Sequence, residues 1–368
     1  MDHLDFIFSG DLVLDEPQPE YWISGIAPAL KGVDLVVGHL EVPHTLRGKE
    51  LKGDVPAPGA DPEHLSALVG AGFHALTLAG NHITDCGKEG IVDTRAELHR
   101  LGIACCGAGV NLSEARRPAV LQISGKHISI LSYNCVGPEN GWATDTRAGC
   151  AFVRVETDDG RPIAPSARLV HITSDSLQAM QHDIASAKQN ADFVIVALHK
   201  GIVHTPARLA PYECPIAHAA VDAGADTVVG HHAHIIRGIE LYEGKPIFHG
   251  LGNGCVVTRA LSPYQTHAAR AEWAKRRKEI FGFEPDPAYT LAPFHPQAVN
   301  AMLGRVRWYE DGCVEAGFIP VYVEPPGRPV IAAGAKAREI IDYVAKITAA
   351  AGLPPVSLKI RKHMVAVA

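Results

Sequence analysis

Three histidines fall within four residues in Gly230-His231-His232-Ala233-His234, a density that packing alone does not require. A buried neutral imidazole has both a donor and an acceptor to satisfy, and its free ring nitrogen is a good ligand for a divalent ion. His232 and His234 are two apart and can face one way from an extended segment, which turns His231 elsewhere as a supporting hydrogen-bond donor. Gly80-Asn81-His82 offers an amide oxygen and an imidazole, with a glycine that lets the backbone turn sharply. His199 closes the apolar run Val194-Ile195-Val196-Ala197-Leu198. Asp11, in Ser9-Gly10-Asp11-Leu12, and Glu41, in His39-Leu40-Glu41, supply carboxylates that can offset the charge of two cations or bridge them. Each feature alone has a bland reading: a turn, a satisfied strand-end histidine, an N-cap or a solvated loop acid.

The elements around them change that weighting. Leu4–Phe8, Leu35–Gly38, Ala75–Leu78, Ile128–Tyr133, Phe193–Leu198, Thr227–Val229 and Ile247–His249 are short Val/Ile-rich runs that predict buried strands. Between them, Asp61–Ala71, Lys88–Leu101, Ser174–Gln189 and Pro215–Ala223 predict helices, the first with Asp61 as N-cap and Pro62 at the first helical position. This alternation predicts an α/β core with helices over the sheet faces. Asp11, Glu41, Asn81-His82, His199 and His231–His234 all fall just after strands, where open α/β sheets collect their ligands. Five such strand ends carrying metal-compatible side chains point jointly to a divalent-metal centre.

Residues 259–302 differ, with the charged run Ala271–Glu279 followed by a loop with prolines at 285, 287, 293 and 296. They predict a helix and an irregular cover over the site, a lid-like insertion at 260–302. Gly304–Trp308 and Gly317–Val323 predict a closing hairpin turning at Glu310-Asp311-Gly312. Lys336–Ala350 predicts a C-terminal helix ended by Gly352 and Pro354. The expected organisation is one catalytic domain over 1–330 and a helical tail over 331–368.

Bulk properties exclude some classes. The 368 residues carry a net charge of −6, against a nucleic-acid binder that relies on a basic surface. No apolar run approaches the roughly 18 residues of a membrane span, and Met1-Asp2-His3-Leu4-Asp5 lacks the basic and apolar regions of a secretory signal. Eight cysteines with no CxxC fit reduced thiols. The expectation is a cytoplasmic enzyme with no membrane or nucleic-acid partner and an open oligomeric state.

The order Gly10-Asp11, Leu40-Glu41, Gly80-Asn81-His82-xx-Asp85-x-Gly87-xx-Gly90, Leu198-His199-Lys200-Gly201, Gly230-His231-His232-Ala233-His234 and Gly250-Leu251-Gly252-Asn253 resembles the CapA-type branch of calcineurin-like metallophosphoesterases over residues 4 to 256. The resemblance implies a four-layer αββα sandwich with a two-metal centre at the strand ends. Carried over position by position, it implies Asp11, Glu41, Asn81, His82, His199, His232 and His234 as ligands. The mixed oxygen and nitrogen set does not choose among Mn, Mg, Zn, Fe and Ca. The chain also departs from the pattern: Val13 stands where ordinary phosphoesterases of this superfamily have a first-motif histidine, and Glu41 replaces an aspartate. His39 stands where CapA-like chains often carry Asn, and Lys200 where they often carry Trp.

Short and expected to lack an anchor, the chain more closely resembles the CapA-like peptide epimerases of lasso-peptide pathways. That likeness implies inversion of the Cα centre of the C-terminal residue, such as Trp, of a ribosomal precursor peptide. Inversion needs a proton removed from one face and delivered to the other. Asp11 is one candidate group; His295, in Ala292-Pro293-Phe294-His295-Pro296 with its backbone restricted by prolines, is the other. Tyr264, Phe281, Phe283 and Phe294 are candidate walls for an indole. The alternative is a metal-dependent hydrolase of phosphoester or γ-glutamyl amide bonds.

Overall fold

The computed structural model describes residues 3–51, 55, 57–164, 167–362 and 364–368; Met1 and Asp2, where the reading of the start began, lie outside the described residues. Alternation along the strands sets the layering. In the opening strand His3–Leu14, Phe6 and Phe8 point into one apolar cluster, and Ile7, Leu12 and Leu14 into another on the opposite face. The strand Phe193–Lys200 does the same, with Phe193 and Ile195 facing inward and Val194, Val196 and Leu198 facing its helices.

Two sheets result. The larger has ten strands, with His3–Leu14 flanked by the parallel strand Leu35–Leu40 and the antiparallel strand Asn300–Tyr309. The smaller has six, with Phe193–Lys200 parallel to both Lys126–Asn134 and Thr227–His232. They face each other across Phe6, Phe8, Ile130, Phe193, Phe248 and Phe318, all buried to 1% exposure or less. Ser66–Ala71 and Gly87–Arg100 cover the outside of the larger sheet, and Ser174–Lys188 and Glu213–Asp222 the outside of the smaller. The architecture is therefore the expected α/β sandwich of four layers.

Local signals explain several boundaries. Asp61 accepts from the Glu63 amide at 2.9 Å and Pro62 opens the helical turn, as the sequence suggested. That segment is a 3₁₀ turn over Pro62–Leu65 running into an α-helix, not one continuous α-helix. The hairpin forms as Asn300–Tyr309 and Val314–Glu324. The C-terminal helix Gly334–Ala350 packs across Ile236–Tyr242 and Val314–Glu324, sealing one end of the inter-sheet core with Ile340 and Val344. Beyond it, Leu358–Ile360 and Val365–Val367 add two short strands to the larger sheet, so the tail is not purely helical. Among the described residues no helix is long and apolar enough to cross a membrane.

Candidate metal centre

Close backbone contact brings the first carboxylate into place. A Cβ on Gly10 would lie 1.9 Å from the Gly252 carbonyl oxygen, so only glycine lets the opening strand pass this near to 252–254. The following residue, Asp11, then pairs in register with Asn253. Glu41 follows the Leu35–Leu40 strand directly, its amide bonded to the Leu12 carbonyl. Gly80 plays a similar spacing role, because a Cβ there would meet the His39 ring at 2.9 Å and the His199 ring at 3.4 Å. His199 stands one residue from the end of Phe193–Lys200, in register with His231.

The side chains converge, and nearly all are buried. His234 Nε2 is 3.2 Å from Glu41 Oε1, and its Nδ1 is 2.9 Å from Asn253 Oδ1 and 3.5 Å from Asp11. His199 Nε2 lies 2.7 Å from Asn81 Oδ1, and the His232 amide approaches both Asp11 oxygens at 3.3 and 3.4 Å. His82 Nδ1 is held by Asp85 at 2.7 Å. Ligand atoms of Asp11, Glu41 and His234 can meet at one point, and those of Asp11, His39 and His199 at another. Asp11 is common to both groups.

Unsatisfied polar atoms in this cluster favour a cation. Glu41 Oε2, His199 Nδ1, His232 Nδ1, His231 Nδ1 and His39 Nε2 are buried without a hydrogen-bond partner, and Glu41 Oε1 has only the ion-pair contact with His234. Such atoms cost about 1–3 kcal/mol each when left unpaired, a cost that a cation bound among them would offset. The protonation states agree. Burial, reinforced by Glu41, pushes Asp11 up; burial would also raise Glu41, but the adjacent His234 outweighs it and holds Glu41 down. His234 is lifted to about 9, burial being outweighed by Glu41 and Asp11. Burial, with some help from neighbouring histidines, drives His39 and His232 down to about 3, burial alone takes His231 there, and His199 falls well below its usual range. Neutral imidazoles beside carboxylates are the ligand form, and a divalent ion would take over the neutralising role of the His234 proton. The residues present fit such an ion.

Backbone strain marks the same place. His232 and His234 hold φ of 88° and 54°, and His204 holds 53°. Non-glycine residues there cost on the order of 1–3 kcal/mol each and persist where the surroundings demand them. The segment carrying His232 and His234 is therefore kinked rather than extended, and simple alternation does not set their directions. Nor does His231 turn away: its Nδ1 is 3.5 Å from Asp11, and its ring stacks on His39 at 4.7 Å.

The cluster opens into a cleft of about 1070 Å³ of empty volume, mouth included. Glu41, Asn81, His82, His232 and His234 form its floor, and Val13, Val42 and Val136 line its sides. From the 260–302 segment, Leu261, Trp273, Arg277, Phe281 and Phe294 form its cover. Tyr264 does not take part; it is 87% exposed. Phe283 lies outside the wall, edge-on to His204 at 5.0 Å and to His295 at 5.3 Å. His295 is half-buried, accepts from the Gln297 amide through Nδ1 at 3.1 Å, and lines a small adjoining cavity with Asn253 and Phe294. It stands one ring behind the cleft, since Phe294 stacks on His234 at 4.6 Å.

Four residues were not singled out as site residues from sequence: His39, His204, Asp15 and Arg277. His39 shares a strand face with Glu41 at i, i+2 spacing, a signal that was available. Asp15 lines the cleft, accepts from Thr258 Oγ1 at 2.7 Å and is raised to about 6 by burial. Lys200 is a support for the site: its fully buried ammonium lies 3.1 Å from Glu213, behind the strand end that carries His199.

A family model described as "Bacterial capsule synthesis protein PGA_cap" matches residues 5–256, which span every strand end of the cluster. The chain belongs to this family. Among similar curated proteins, the Bacillus anthracis "Capsule biosynthesis protein CapA" is 30% identical over 237 residues, covering 64% of this chain and 53% of the relative. A "Probable polyglutamine synthesis accessory protein" of Mycobacterium tuberculosis is 34% identical over 196 residues, 52% of this chain and 47% of its own. The chain thus spans about half the length of these curated relatives. Among solved structures, a hypothetical protein from Thermus thermophilus aligns with a TM-score of 0.48 at 18% identity over 88% of this chain and 100% of its own. The calcineurin-like phosphoesterase YfkN from Bacillus subtilis aligns at 0.40 and 12% identity, over 94% and 97%.

Proposed function

We propose that the protein is a divalent-metal-dependent epimerase that inverts the Cα centre of the C-terminal residue of a peptide, with Trp as the fitting side chain. The observation that carries this reading is the wall chemistry. A cluster of unsatisfied carboxylate and imidazole atoms opens onto a cleft lined by Val13, Val42, Val136, Leu261, Trp273, Phe281 and Phe294, a surface suited to a large apolar side chain. Val13 lines that cleft where ordinary phosphoesterases present a further histidine ligand.

Asp11, Glu41, Asn81, His82, His199, His232 and His234 would hold two ions, with His39 within reach of the subsite shared by Asp11 and His199. The ions supply Lewis-acid stabilisation of the negative charge that develops on carboxylate oxygens when a neighbouring C–H is deprotonated. The chain's own groups move the proton. Asp11 accepts the Cα proton on one face, leaving its electron pair delocalised into the carboxylate, and a second group returns a proton to the opposite face. His295 is assigned that role, with Asp15, which lines the cleft itself, as its competitor. The substrate is then a precursor peptide, and its remaining residues extend from the cleft mouth.

The test is incubation of a Trp-ending peptide with Mn²⁺ in D₂O. One deuterium at Cα, a D-configured terminal residue and unchanged chain length are expected. His295→Ala should abolish inversion while bound metal is retained; if Asp15→Asn does so instead, the second role passes to Asp15. A second reading, hydrolysis of a phosphoester or γ-glutamyl amide bond, is favoured by family membership, since the relatives are named for capsule and polyglutamine synthesis. Cleavage without Cα exchange would establish it and remove the epimerase.

A further inference from the structure

Arg277 is 2% exposed, yet its Nε and Nη1 have no hydrogen-bond partner. It lies in the cover of the cleft, its guanidinium 5.4 Å from the Trp273 ring centre, 5.6 Å from Phe294 and 6.0 Å from Phe283. These rings share its desolvation with no compensating anion among the described residues, and burial alone pulls its pKa down to about 9. The same fold shows how it satisfies a structural arginine. Arg237, 0% exposed, donates to Glu213 at 2.9 Å and to the Ile202 carbonyl at 2.7 Å, and it also donates to the Arg208 carbonyl. A buried cation without such partners is expensive, and among the described residues no group pairs with Arg277 Nε or Nη1. Phe294 connects it to the metal cluster, packing under the guanidinium on one side and against His234 on the other.

We infer that Arg277 is the anchor for a free carboxylate on a ligand whose apolar side chain occupies the cleft, and that it selects a terminal residue over an internal one. Planar guanidinium donors match a carboxylate in fork geometry, and the Trp273, Phe281 and Phe294 walls receive the apolar part. The inference deepens the epimerase reading and rests on it for the identity of the carboxylate as the peptide terminus. It also accounts for a charged group in an otherwise apolar cover.

Calorimetric binding of N-acetyl-L-tryptophan and N-acetyl-L-tryptophanamide, with Mn²⁺ and again with chelator, tests it. The wild-type protein should prefer the acid by on the order of 10–100-fold, the range of a charge-assisted hydrogen bond, and should keep a preference in chelator. Arg277→Gln should bind acid and amide alike, and Arg277→Lys should keep part of the preference. Thermal unfolding and divalent uptake of both variants report on folding; if Arg277→Gln does not fold, the wild-type ratio in chelator and Arg277→Lys decide. A preference unchanged in Arg277→Gln, or present only with Mn²⁺, would assign carboxylate recognition to the ions and overturn the inference. Acid-selective, Arg277-dependent binding without Cα exchange would keep the anchor and remove the epimerase. Equal Cα exchange on acid and amide would do the reverse.

Discussion

Glu213→Gln removes one negative charge from a buried network directly behind the candidate metal centre. Glu213 receives Lys200 Nζ at 3.1 Å on one oxygen, and Arg237 Nη2 at 2.9 Å and the Ala210 amide at 2.7 Å on the other; all three side chains are fully buried. His249, held neutral because burial and Lys200 push it down to about 4, adds no third positive charge to the network. Glutamine keeps the shape and one acceptor but leaves two buried cations facing each other. Breaking such a pair costs about 3–5 kcal/mol, a large share of the roughly 5–15 kcal/mol that stabilises a domain. Urea unfolding at pH 7.5 should show the midpoint falling with the slope unchanged, and Lys200→Met in the same chain should recover part of the loss. The pH dependence has a definite sign. Burial would raise Glu213, but Lys200 and Arg237 outweigh it and hold it below its ordinary value of 4.5. Its contribution is therefore complete above the unfolded-state pKa and lost as pH falls through the folded one. The wild-type protein should lose this stability in acid, below about pH 4.5, and the variant should show a flatter acid limb. A destabilisation under about 1 kcal/mol, the value of an exposed pair, would refute the reasoning.

Two further outcomes follow from the geometry. Asn253→Ala and Asp85→Ala remove the groups that orient His234 and His82, and each should weaken divalent binding about 10–100-fold by titration calorimetry while the fold persists. Asp15 is raised from 3.8 to about 6, so its proton is held more tightly in the folded state and stability falls as pH rises between those values. Asp15→Asn should remove that slope and gain up to about 2–3 kcal/mol at pH 8 in urea titrations.

The core strands were readable because they are buried on both faces and so appear as unbroken apolar runs, as in Val194-Ile195-Val196-Ala197-Leu198. The clustering of the candidate ligands was readable for a related reason: parallel strands end on one edge, and the residue types at those ends were not those of packing. Long-range pairing was hidden. Asn253–Val257 forms a strand only because it lies parallel to the opening strand, where Gly10 and Gly252 touch. Val365–Val367 needs Ala316–Phe318 as its template. The local course of His231–His234 was misjudged, since left-handed φ at two histidines is imposed by the tertiary site and not by their own preference. Arg277 was concealed inside the charged run Ala271–Glu279, and only the cover's packing shows that it is buried among rings. The departure at position 200 found its reason in Glu213, thirteen residues away and on another element.

Metal uptake tests the central claim most directly. The protein is stripped with chelator, re-equilibrated with Mn²⁺, passed through a desalting column and analysed for metal per chain. Two ions per wild-type chain are expected, with Glu41→Gln and His199→Ala each losing at least one while still folded. Retention of no ion by the wild-type chain, or full retention by both variants, would contradict a metal centre at these strand ends.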